Sequence, residues 1–380
     1  MRRISHVVFT FLPYSEAWLY DVITAPVPYE AQVLTVSRQN EDRFPFEHVQ
    51  LIREKTRRGS PTWLHAQFNR RLGWPRSPAN PWKNQLRGLA KTQDLFHAHF
   101  GPAGYRVVDA GLAPTITSFY GYDACEQSTL ARWGNAYRQL FRKGEAFVAE
   151  GPAMQERLIG LGAPPGRTYV VPLIVHLDDD WQPASLAADE SPRVLMTGRL
   201  VEKKGFAEGV AAFAAARRSR DDARLLILGA GPEEERLRQA TESLGLEDAV
   251  EFVPPLPRER FRDFIRSCHV LLQPSRTASN GDSEGGAPTT LLEAQALGRV
   301  VVATDHADIP NVVDREAAFL APEGDADALA AGLTTALAAP EGWMSRGAAG
   351  RRFVEANHSP LDVAALLERL YERVIASTIE

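Results

Sequence analysis

Short runs rich in β-branched residues alternate along this chain with longer segments of helical periodicity, and no other feature restricts the fold as much. The runs predict strands at 6–11, 32–37, 94–99, 115–119, 146–149 and 169–173, and then at 193–197, 224–228, 250–253, 270–273 and 300–304. The segments between them are helical in period, as in Phe206, Val210, Phe213 and Ala214. Alternating strands and helices predict parallel sheets with helices on both faces, the doubly wound α/β arrangement.

The strands are numerous enough for two sheets, and a length of 380 residues also favours two domains. No apolar period continues through 176–190, which is acidic and contains Pro183, so the interdomain linker is placed there. We predict domains over 1–178 and 190–357. The C-terminal helix, 358–380, is expected to dock on the first domain. Its apolar face carries Val363, Leu366, Leu367, Leu370, Tyr371 and Val374.

Composition excludes several classes of protein. A net charge of -5 argues against a generally basic nucleic-acid-binding protein, so no nucleic acid partner is expected. The only cysteines, Cys125 and Cys268, rule out a disulfide framework and fit a reducing cytoplasm. The short apolar run at 6–12 ends at Pro13, and no stretch of about eighteen apolar residues occurs. We predict a cytoplasmic protein, or one peripheral on the cytoplasmic face of the inner membrane.

The second half carries two cations on one turn after a predicted strand. Gly198 and Arg199 follow the strand, and Lys204 comes five residues after Arg199. Both cations can project over the carboxyl end of the sheet, where they would suit a diphosphate. The alternative is an exposed pair of cations on an ordinary turn. A glycine-rich segment at 228–232 is interpreted as a tight turn that borders this site.

A second motif spans 282–294 and combines a Gly-Gly turn with a helix start. Pro288 suits the first helical position, and free amides near Thr289 and Thr290 would bind an anion such as pyrophosphate. Two carboxylates, Glu284 and Glu293, flank this pocket, and neutral sugar and ribose hydroxyls are their natural partners. A merely capped helix does not explain glycines bracketed by glutamates. The predicted nucleotide-binding residues are Gly198, Gly285, Gly286, Ala287, Pro288, Thr289, Thr290 and Glu293.

Together these motifs resemble glycosyltransferase family 4, which has the GT-B fold of two Rossmann-like domains facing a cleft. The Asp-x-Glu-Gly start and the proline before the helix resemble its bacterial exopolysaccharide branch. The resemblance is close over 190–325 and loose in the first domain. It implies that Arg199 and Lys204 bind the diphosphate, that Glu284 holds donor-sugar hydroxyls and that Glu293 holds the ribose. The interval between the glutamates is one residue longer than is usual in the family.

The first domain supplies weaker candidates for binding the acceptor or the donor sugar, namely Ser15, Glu16, His99, Tyr120 and Asp123. Pro13-x-Ser15-Glu16 resembles a loop of the exopolysaccharide branch, and Tyr120 stands where many members have histidine. His97 and His99 lie on one strand and raise the alternative of a metal site. Because no third ligand is evident, we favour a structural or acceptor-side role for His99 and expect no metal.

The segment 51–91 is strongly basic within an acidic protein. Its cations are Arg53, Lys55, Arg57, Arg58, Arg70, Arg71, Arg76, Lys83, Arg87 and Lys91, interleaved with Trp63, Trp74 and Trp82. Such a segment fits an anionic membrane surface. Single-stranded nucleic acid binding and a solvated helical insertion with core tryptophans are the alternatives.

The family resemblance implies a retaining glycosyltransferase that uses a nucleotide-diphosphate sugar, with no metal or other cofactor. The acceptor is expected to be a glycan or a lipid-linked intermediate. No strong general base is evident, and in retaining members of this fold the leaving phosphate takes the acceptor's proton. The alternatives are a sugar-nucleotide epimerase, a phosphorylase of the same fold, or a non-catalytic sugar-nucleotide binding protein.

Overall fold

A computed structural model describes residues 2–13, 16–53, 80–89 and 92–378 of the chain. The backbone divides into two compact units. The first contains Met1–Ile174 and Pro360–Glu380, and the second contains Val175–Ser359. Each unit is built on a single sheet, and neighbouring strands in both sheets are parallel. Ser15 and most of the basic segment 51–91 lie outside the described residues.

The sheet of the first unit has seven strands in the order β3-β2-β1-β4-β5-β6-β7. They are β1 (Arg3–Phe11), β2 (Glu30–Arg38), β3 (Val49–Leu51), β4 (Leu95–His99), β5 (Thr115–Ser118), β6 (Ala146–Ala149) and β7 (Thr168–Val170). The helices of this unit are α1 (Trp18–Ile23), α2 (Lys83–Arg87), α3 (Gly101–Asp109), α4 (Tyr122–Cys125), α5 (Gln127–Lys143), α6 (Pro152–Gly160) and α13 (Pro360–Ala376).

The sheet of the second unit has six strands in the order β10-β9-β8-β11-β12-β13. They are β8 (Arg193–Thr197), β9 (Arg224–Leu228), β10 (Val250–Val253), β11 (Val270–Gln273), β12 (Val300–Asp305) and β13 (Phe319–Pro322). The helices are α7 (Phe206–Arg217), α8 (Glu234–Ser243), α9 (Arg258–Arg266), α10 (Thr289–Ala296), α11 (Ala326–Ala338) and α12 (Trp343–His358). Parallel strands require crossover connections, which these helices provide. The doubly wound prediction is confirmed in both units.

The apolar residues that recur at regular intervals in the sequence are buried in the cores of both units. In the second unit, Phe206, Val210 and Phe213 of α7 are buried in one cluster with strand residues such as Val194 and Leu272. In the first unit, the C-terminal helix α13 contributes one buried face to the cluster that also contains residues of β1. That face consists of Val363, Ala364, Leu367, Leu370, Tyr371, Val374 and Ile375. The prediction that this helix docks on the first domain is confirmed.

The segment 176–190 is not a free linker, because its contacts belong to the second unit. Asp178 accepts a hydrogen bond from Arg262 at 2.8 Å and pairs with Arg266. The Ala184 amide donates to the Gly298 carbonyl at 2.9 Å. The acidic residues of this segment therefore pair with cations of α9. The first unit ends at residue 174 and the second begins at residue 175.

The described part of the basic segment resembles a core insertion more than a membrane surface. Trp82 is fully buried in an apolar cluster, so a surface role is wrong for this tryptophan. The Lys83 ammonium lies 3.6 Å from Asp109, and Arg87 donates to the Ala110 carbonyl at 3.0 Å. Across the described ranges, no helix has the length and apolarity that crossing a bilayer requires.

Candidate active site

One cation and one carboxylate predicted from the second-half motifs, Lys204 and Glu284, come together at the carboxyl ends of β8 and β11. These strands are neighbours in the sheet although β9 and β10 separate them in sequence. The strand order reverses at this point, and open α/β sheets bind ligands in the crevice that such a reversal leaves. Gly198 follows β8 directly, and Ser275 lies two residues after the end of β11.

Two glycines shape the turn that presents Lys204. Gly198 has a φ of +142°, and a Cβ added there would lie 3.4 Å from Lys204 Cε, so the lysine side chain passes close to the glycine backbone. Gly205 has a φ of +65°, and its Cβ would lie 1.8 Å from the Pro274 carbonyl oxygen. Only glycine permits this contact without a shift of the backbone. The turn is thereby held against the end of β11.

Lys204 and Glu284 form a shielded ion pair at the centre of the site. The Lys204 ammonium lies 2.8 Å from Glu284 Oε1 and 2.9 Å from Oε2. Only 15% of the lysine side chain and 7% of the glutamate side chain are exposed. Burial raises the pKa of Glu284, but Lys204 and the Ser275 hydroxyl outweigh burial and leave that pKa below its ordinary value. Glu284 is therefore a carboxylate.

A line of polar side chains connects this pair to the start of α10. Ser275 Oγ donates to Glu284 Oε1 at 2.6 Å and accepts from Gln273 Nε2 at 2.7 Å. Gln273 Oε1 in turn accepts from Thr290 Oγ1 at 3.3 Å. Sequence reasoning missed Gln273 and Ser275. The signal that could have found them is their position, because they are the first polar residues at the end of a buried apolar strand.

Lys203 is a second buried cation that sequence reasoning missed. Its ammonium lies 3.2 Å from Asp282 Oδ1 and donates to the Ser283 carbonyl at 2.9 Å. Consecutive lysines thus bind consecutive parts of one loop, because Lys203 holds residues 282–283 and Lys204 holds Glu284. Arg199, by contrast, is exposed, and its guanidinium has no ion-pair partner within the described ranges.

The glycines of the turn after β9 are required by close contact with the turn after β8. Cβ atoms added at Gly229 and Gly231 would lie 1.9 Å from the Gly198 carbonyl oxygen and 2.4 Å from the Leu200 carbonyl oxygen, respectively. The Leu200 amide donates to the Ala230 carbonyl at 2.9 Å. The prediction of a tight turn bordering the site is confirmed, since this turn supports the backbone of the Gly198–Leu200 segment.

Helix α10 begins one residue later than predicted. Pro288 occupies the N-cap with extended backbone, and Thr289 is the first helical residue. Proline has no side-chain acceptor, so it does not cap the first amides, and the N-terminus keeps its affinity for anions. The buried Gly285, at φ +81°, and Gly286 lead through the half-buried Ala287 into this start. Glu293 lies in the second turn, half-buried.

In the first unit, four of the five candidates are described and lie close together. Both oxygens of the fully buried Asp123 accept from backbone amides, those of Gly101 at 2.9 Å and Tyr120 at 3.0 Å. Asp123 thus orders the start of α3. The Tyr120 hydroxyl bonds His99 Nδ1 at 2.8 Å. Burial, and then the negative charge of Asp123, raise the pKa of Glu16 to about 7, so the two carboxylates interact electrostatically.

A third histidine, His6, accompanies His97 and His99, which corrects the sequence-based premise that no third ligand exists. One nitrogen of each ring lies within 4.8 Å of the others, close enough for a shared metal ion. However, five of the six ring nitrogens have hydrogen-bond partners: His6 Nδ1 bonds His99 Nε2, and the other three bond Tyr371, Ser118 and Tyr120. Burial lowers the pKa of His6 to about 3, so its ring is neutral. These bonds favour a structural network, and metal independence stays a prediction.

Taken together, the second unit offers an exposed arginine, a paired lysine, uncapped helix amides and two carboxylates around one sheet end. Cations and amides favour an anion with more than one charge. Carboxylates beside that anion are tolerated where neutral hydroxyls donate to them. A diphosphate bonded to a sugar and to a ribose meets both requirements.

Comparison with known proteins identifies the family of this chain. The description "Glycosyl transferases group 1" matches residues 178–353. The chain is 32% identical to the amylovoran biosynthesis glycosyltransferase AmsK of Erwinia amylovora. The match covers 63% of this chain but only 60% of the length of AmsK. It is 30% identical to the D-inositol 3-phosphate glycosyltransferase of Streptosporangium roseum, covering 69% of this chain and 71% of that one.

A solved structure shares the fold of both units. The crystal structure of Anabaena HepE in complex with UDP-glucose has a TM-score of 0.74 and 16% identity, and the match covers 99% of this chain and 100% of HepE. At that identity the likeness concerns the fold alone, which is GT-B. The family rests on the inositol phosphate relative together with the matched family description: this chain belongs to the group 1 glycosyltransferases.

Proposed function

We propose that this protein transfers a sugar from a nucleotide-diphosphate sugar to an acceptor with retention of the anomeric configuration. The observation that carries the proposal is the shielded Lys204–Glu284 pair, which lies where the strand order reverses. A cation that is paired with a carboxylate, and linked through Ser275 and Gln273 to the start of α10, suits a ligand that carries both phosphate and hydroxyl groups.

The diphosphate would be bound by Arg199, Lys204 and the amides that begin α10. Without ligand, Lys204 is paired with Glu284. An incoming diphosphate gives that ammonium a second anionic partner. Negative charge on the phosphate grows as the sugar bond breaks, so these contacts strengthen toward the transition state. The exposed Arg199 is free to meet the ligand from solvent.

The two glutamates would divide the remaining contacts. Glu284 precedes the Gly285 turn and would accept from donor-sugar hydroxyls, while Glu293, inside α10, would accept from the ribose. In retention, the departing phosphate would take the proton of the acceptor hydroxyl, so the chain itself needs no strong base. We propose that the reaction requires no metal.

The acceptor is proposed to be a glycan or a lipid-linked intermediate of polysaccharide synthesis, at the cytoplasmic face of a membrane. The name of the AmsK relative, an amylovoran biosynthesis glycosyltransferase, supports a polysaccharide pathway. The UDP-glucose bound to HepE supports a nucleotide-sugar donor. An epimerase would need no acceptor, which separates that alternative experimentally.

Calorimetry on single variants tests the proposal. A thermal-shift panel of UDP, GDP, ADP and their sugars first selects the nucleotide, because a ligand stabilises the native state by RT ln(1 + [L]/Kd). Glu293→Ala should then weaken binding of the free nucleoside diphosphate by about 1.5–3 kcal/mol, the value of a charge-assisted hydrogen bond. Glu284→Ala should leave that affinity nearly unchanged and weaken binding of the nucleotide sugar.

The control is Glu242→Ala, which removes an exposed carboxylate of α8 in the same unit. It should change neither affinity. If no nucleotide stabilises the protein, the proposed function is wrong. If Glu284→Ala loses nucleotide affinity and Glu293→Ala does not, the roles of the two glutamates are reversed, and the longer interval between them is the reason.

A further inference from the structure

His306 is a buried histidine, directly after β12, that bonds the backbone of the candidate site. Only 4% of the residue is exposed. Its Nε2 lies 3.3 Å from the Glu284 amide nitrogen, and its Nδ1 lies 2.7 Å from Glu323 Oε2. A backbone amide can only donate, so Nε2 accepts and the ring proton is on Nδ1, which donates to Glu323.

Glu323 completes this connection at the end of β13. Its second oxygen accepts from the Thr277 amide at 2.5 Å. Burial raises the pKa of Glu323, but the hydrogen bonds from His306 and Thr277 outweigh burial and leave that pKa below its ordinary value. One carboxylate and one imidazole thus tie two points of the same loop, Thr277 and Glu284, to the ends of β12 and β13.

The turn that aims His306 is itself unusual. Ala307 has a φ of +50°, in the left-handed region that costs a non-glycine residue about 1 kcal/mol. The Ile309 amide donates to the His306 carbonyl at 3.0 Å and closes the turn. A strained turn persists only where its surroundings require it, and here it directs the imidazole toward the Glu284 loop.

The loop is held from its other side by the cations of the candidate site. Lys203 binds Asp282 and the Ser283 carbonyl, and Lys204 binds the Glu284 carboxylate. Of these, the Lys204 contact is the one that a diphosphate would share. Ser275 and the backbone bond to His306 do not involve that shared cation, and they hold Glu284 with or without ligand.

We propose that His306, oriented by Glu323, is a positioning residue that fixes the backbone of Glu284 and thereby sets the contact of its carboxylate with the donor sugar. This inference rests on the proposed function of Glu284. His306 does not touch the ligand. It affects how much more tightly the protein binds the nucleotide sugar than the free nucleoside diphosphate.

Two variants separate the two hydrogen bonds of the imidazole. In His306→Gln, the side-chain oxygen reaches the place of Nε2 and can still accept from the Glu284 amide. In His306→Asn, the amide nitrogen reaches the place of Nδ1 and can still donate to Glu323, but the Glu284 bond is lost. Both substitutions remove the same aromatic ring, so each is the control for the packing effect of the other.

The first measurement is hydrogen exchange of the Glu284 amide in the unliganded full chain. It should accelerate in His306→Asn by about tenfold, the effect of one lost hydrogen bond, and stay near the wild-type rate in His306→Gln. The second is the ratio of affinities for UDP-glucose and UDP, with GDP-mannose and GDP as a second probe pair. The ratio should fall about tenfold in His306→Asn and little in His306→Gln, while the affinity for the nucleoside diphosphate alone changes in neither.

Equal behaviour of the two variants in exchange and in the affinity ratio would overturn the inference, because it would mean that His306 only fills space. The inference also fails if the wild type shows the expected ratio and His306→Asn keeps it. If the wild type binds neither probe pair, the proposed function fails first and the role of His306 falls with it.

Discussion

Lys204 and Glu284 are each shielded from water, so each charge depends on the other. Removing one partner of such a pair leaves an uncompensated buried charge, whereas neutralising both does not. The Ser275 hydroxyl is a further donor to Glu284, and it can partly compensate for a missing lysine. The pair therefore has a structural cost that can be measured separately from its proposed role in transfer.

Lys204→Ala should lower the free energy of unfolding by about 3 kcal/mol, because it leaves the Glu284 carboxylate without its counter-ion. The double variant Lys204→Ala/Glu284→Gln should recover much of this loss. Urea unfolding of the two singles, the double and the wild type forms a double-mutant cycle. Additive losses would show that the two side chains do not interact in solution.

Glu16 makes stability depend on pH. Its pKa is raised to about 7, first by burial and then by Asp123, whose own pKa is raised to about 6 by burial. Between about pH 4.5 and 7 the native state thus binds more protons than the unfolded state, so the free energy of unfolding falls as pH rises.

Glu16→Gln removes the part of this dependence that Glu16 contributes. We expect it to stabilise the protein at pH 8 by up to about 3 kcal/mol, from about 1.4 kcal/mol per pKa unit, and to have little effect at pH 4.5. Thermal unfolding at both values checks it, with the exposed Glu156→Gln as control. Equal effects of Glu16→Gln at the two pH values would show that Glu16 titrates normally.

At the scale of elements, the turn after β9 supports the turn after β8, so a methyl group in the first should disturb the second. Gly231→Ala brings a Cβ within 2.4 Å of the Leu200 carbonyl oxygen. Such overpacking costs about 1–3 kcal/mol, and we expect nucleotide binding to weaken as the Gly198–Leu200 segment moves.

Gly342→Ala is the matched control in the same unit. Its φ is -83° and no heavy atom lies within 4 Å of its added Cβ, so the change should be within about 0.5 kcal/mol. Chemical unfolding and calorimetry on both variants decide the comparison. If Gly231→Ala changes stability and nucleotide affinity as little as Gly342→Ala does, the two turns are not closely packed in solution.

The sequence predicts buried strands well because both faces of a central parallel strand are covered and its residues are uniformly apolar. All five strands expected for the second half are present, at 193–197, 224–228, 250–253, 270–273 and 300–305. The edge strands β3 and β13 were not predicted. β3 has one β-branched residue and β13 has none, whereas the equally short edge strand β10, which was predicted, has two valines.

At the scale of the whole molecule, the partners within the site could not be predicted, because pairing depends on the order of strands. Lys204 and Glu284 are 80 residues apart and meet because β8 lies beside β11. His6 joins His97 for the same reason, since β1 pairs with β4 and His6 is in register with His97. Motif chemistry selected the candidate residues, but strand order determined their partners.

Membrane association stays a prediction, and it concerns the intact chain. Seven of the ten cations in the basic segment, at 55, 57, 58, 70, 71, 76 and 91, lie outside the described residues. Each cation near an anionic surface contributes up to about 1 kcal/mol, screened by salt. We expect sedimentation with anionic vesicles in low salt and not with neutral ones. Equal sedimentation with both, or with neither, would contradict this prediction.

The most direct test of the central claim is the release of nucleoside diphosphate from the nucleotide sugar that stabilises the protein, in excess EDTA, with and without an acceptor extract. We predict release that requires the extract and persists in EDTA. It should fall about 100-fold or more in Lys204→Ala, as expected when stabilisation of developing charge is lost. The exposed Arg218→Ala should not affect it. Release at the same rate with and without the acceptor extract would contradict the proposed transfer reaction. So would release that Lys204→Ala does not reduce.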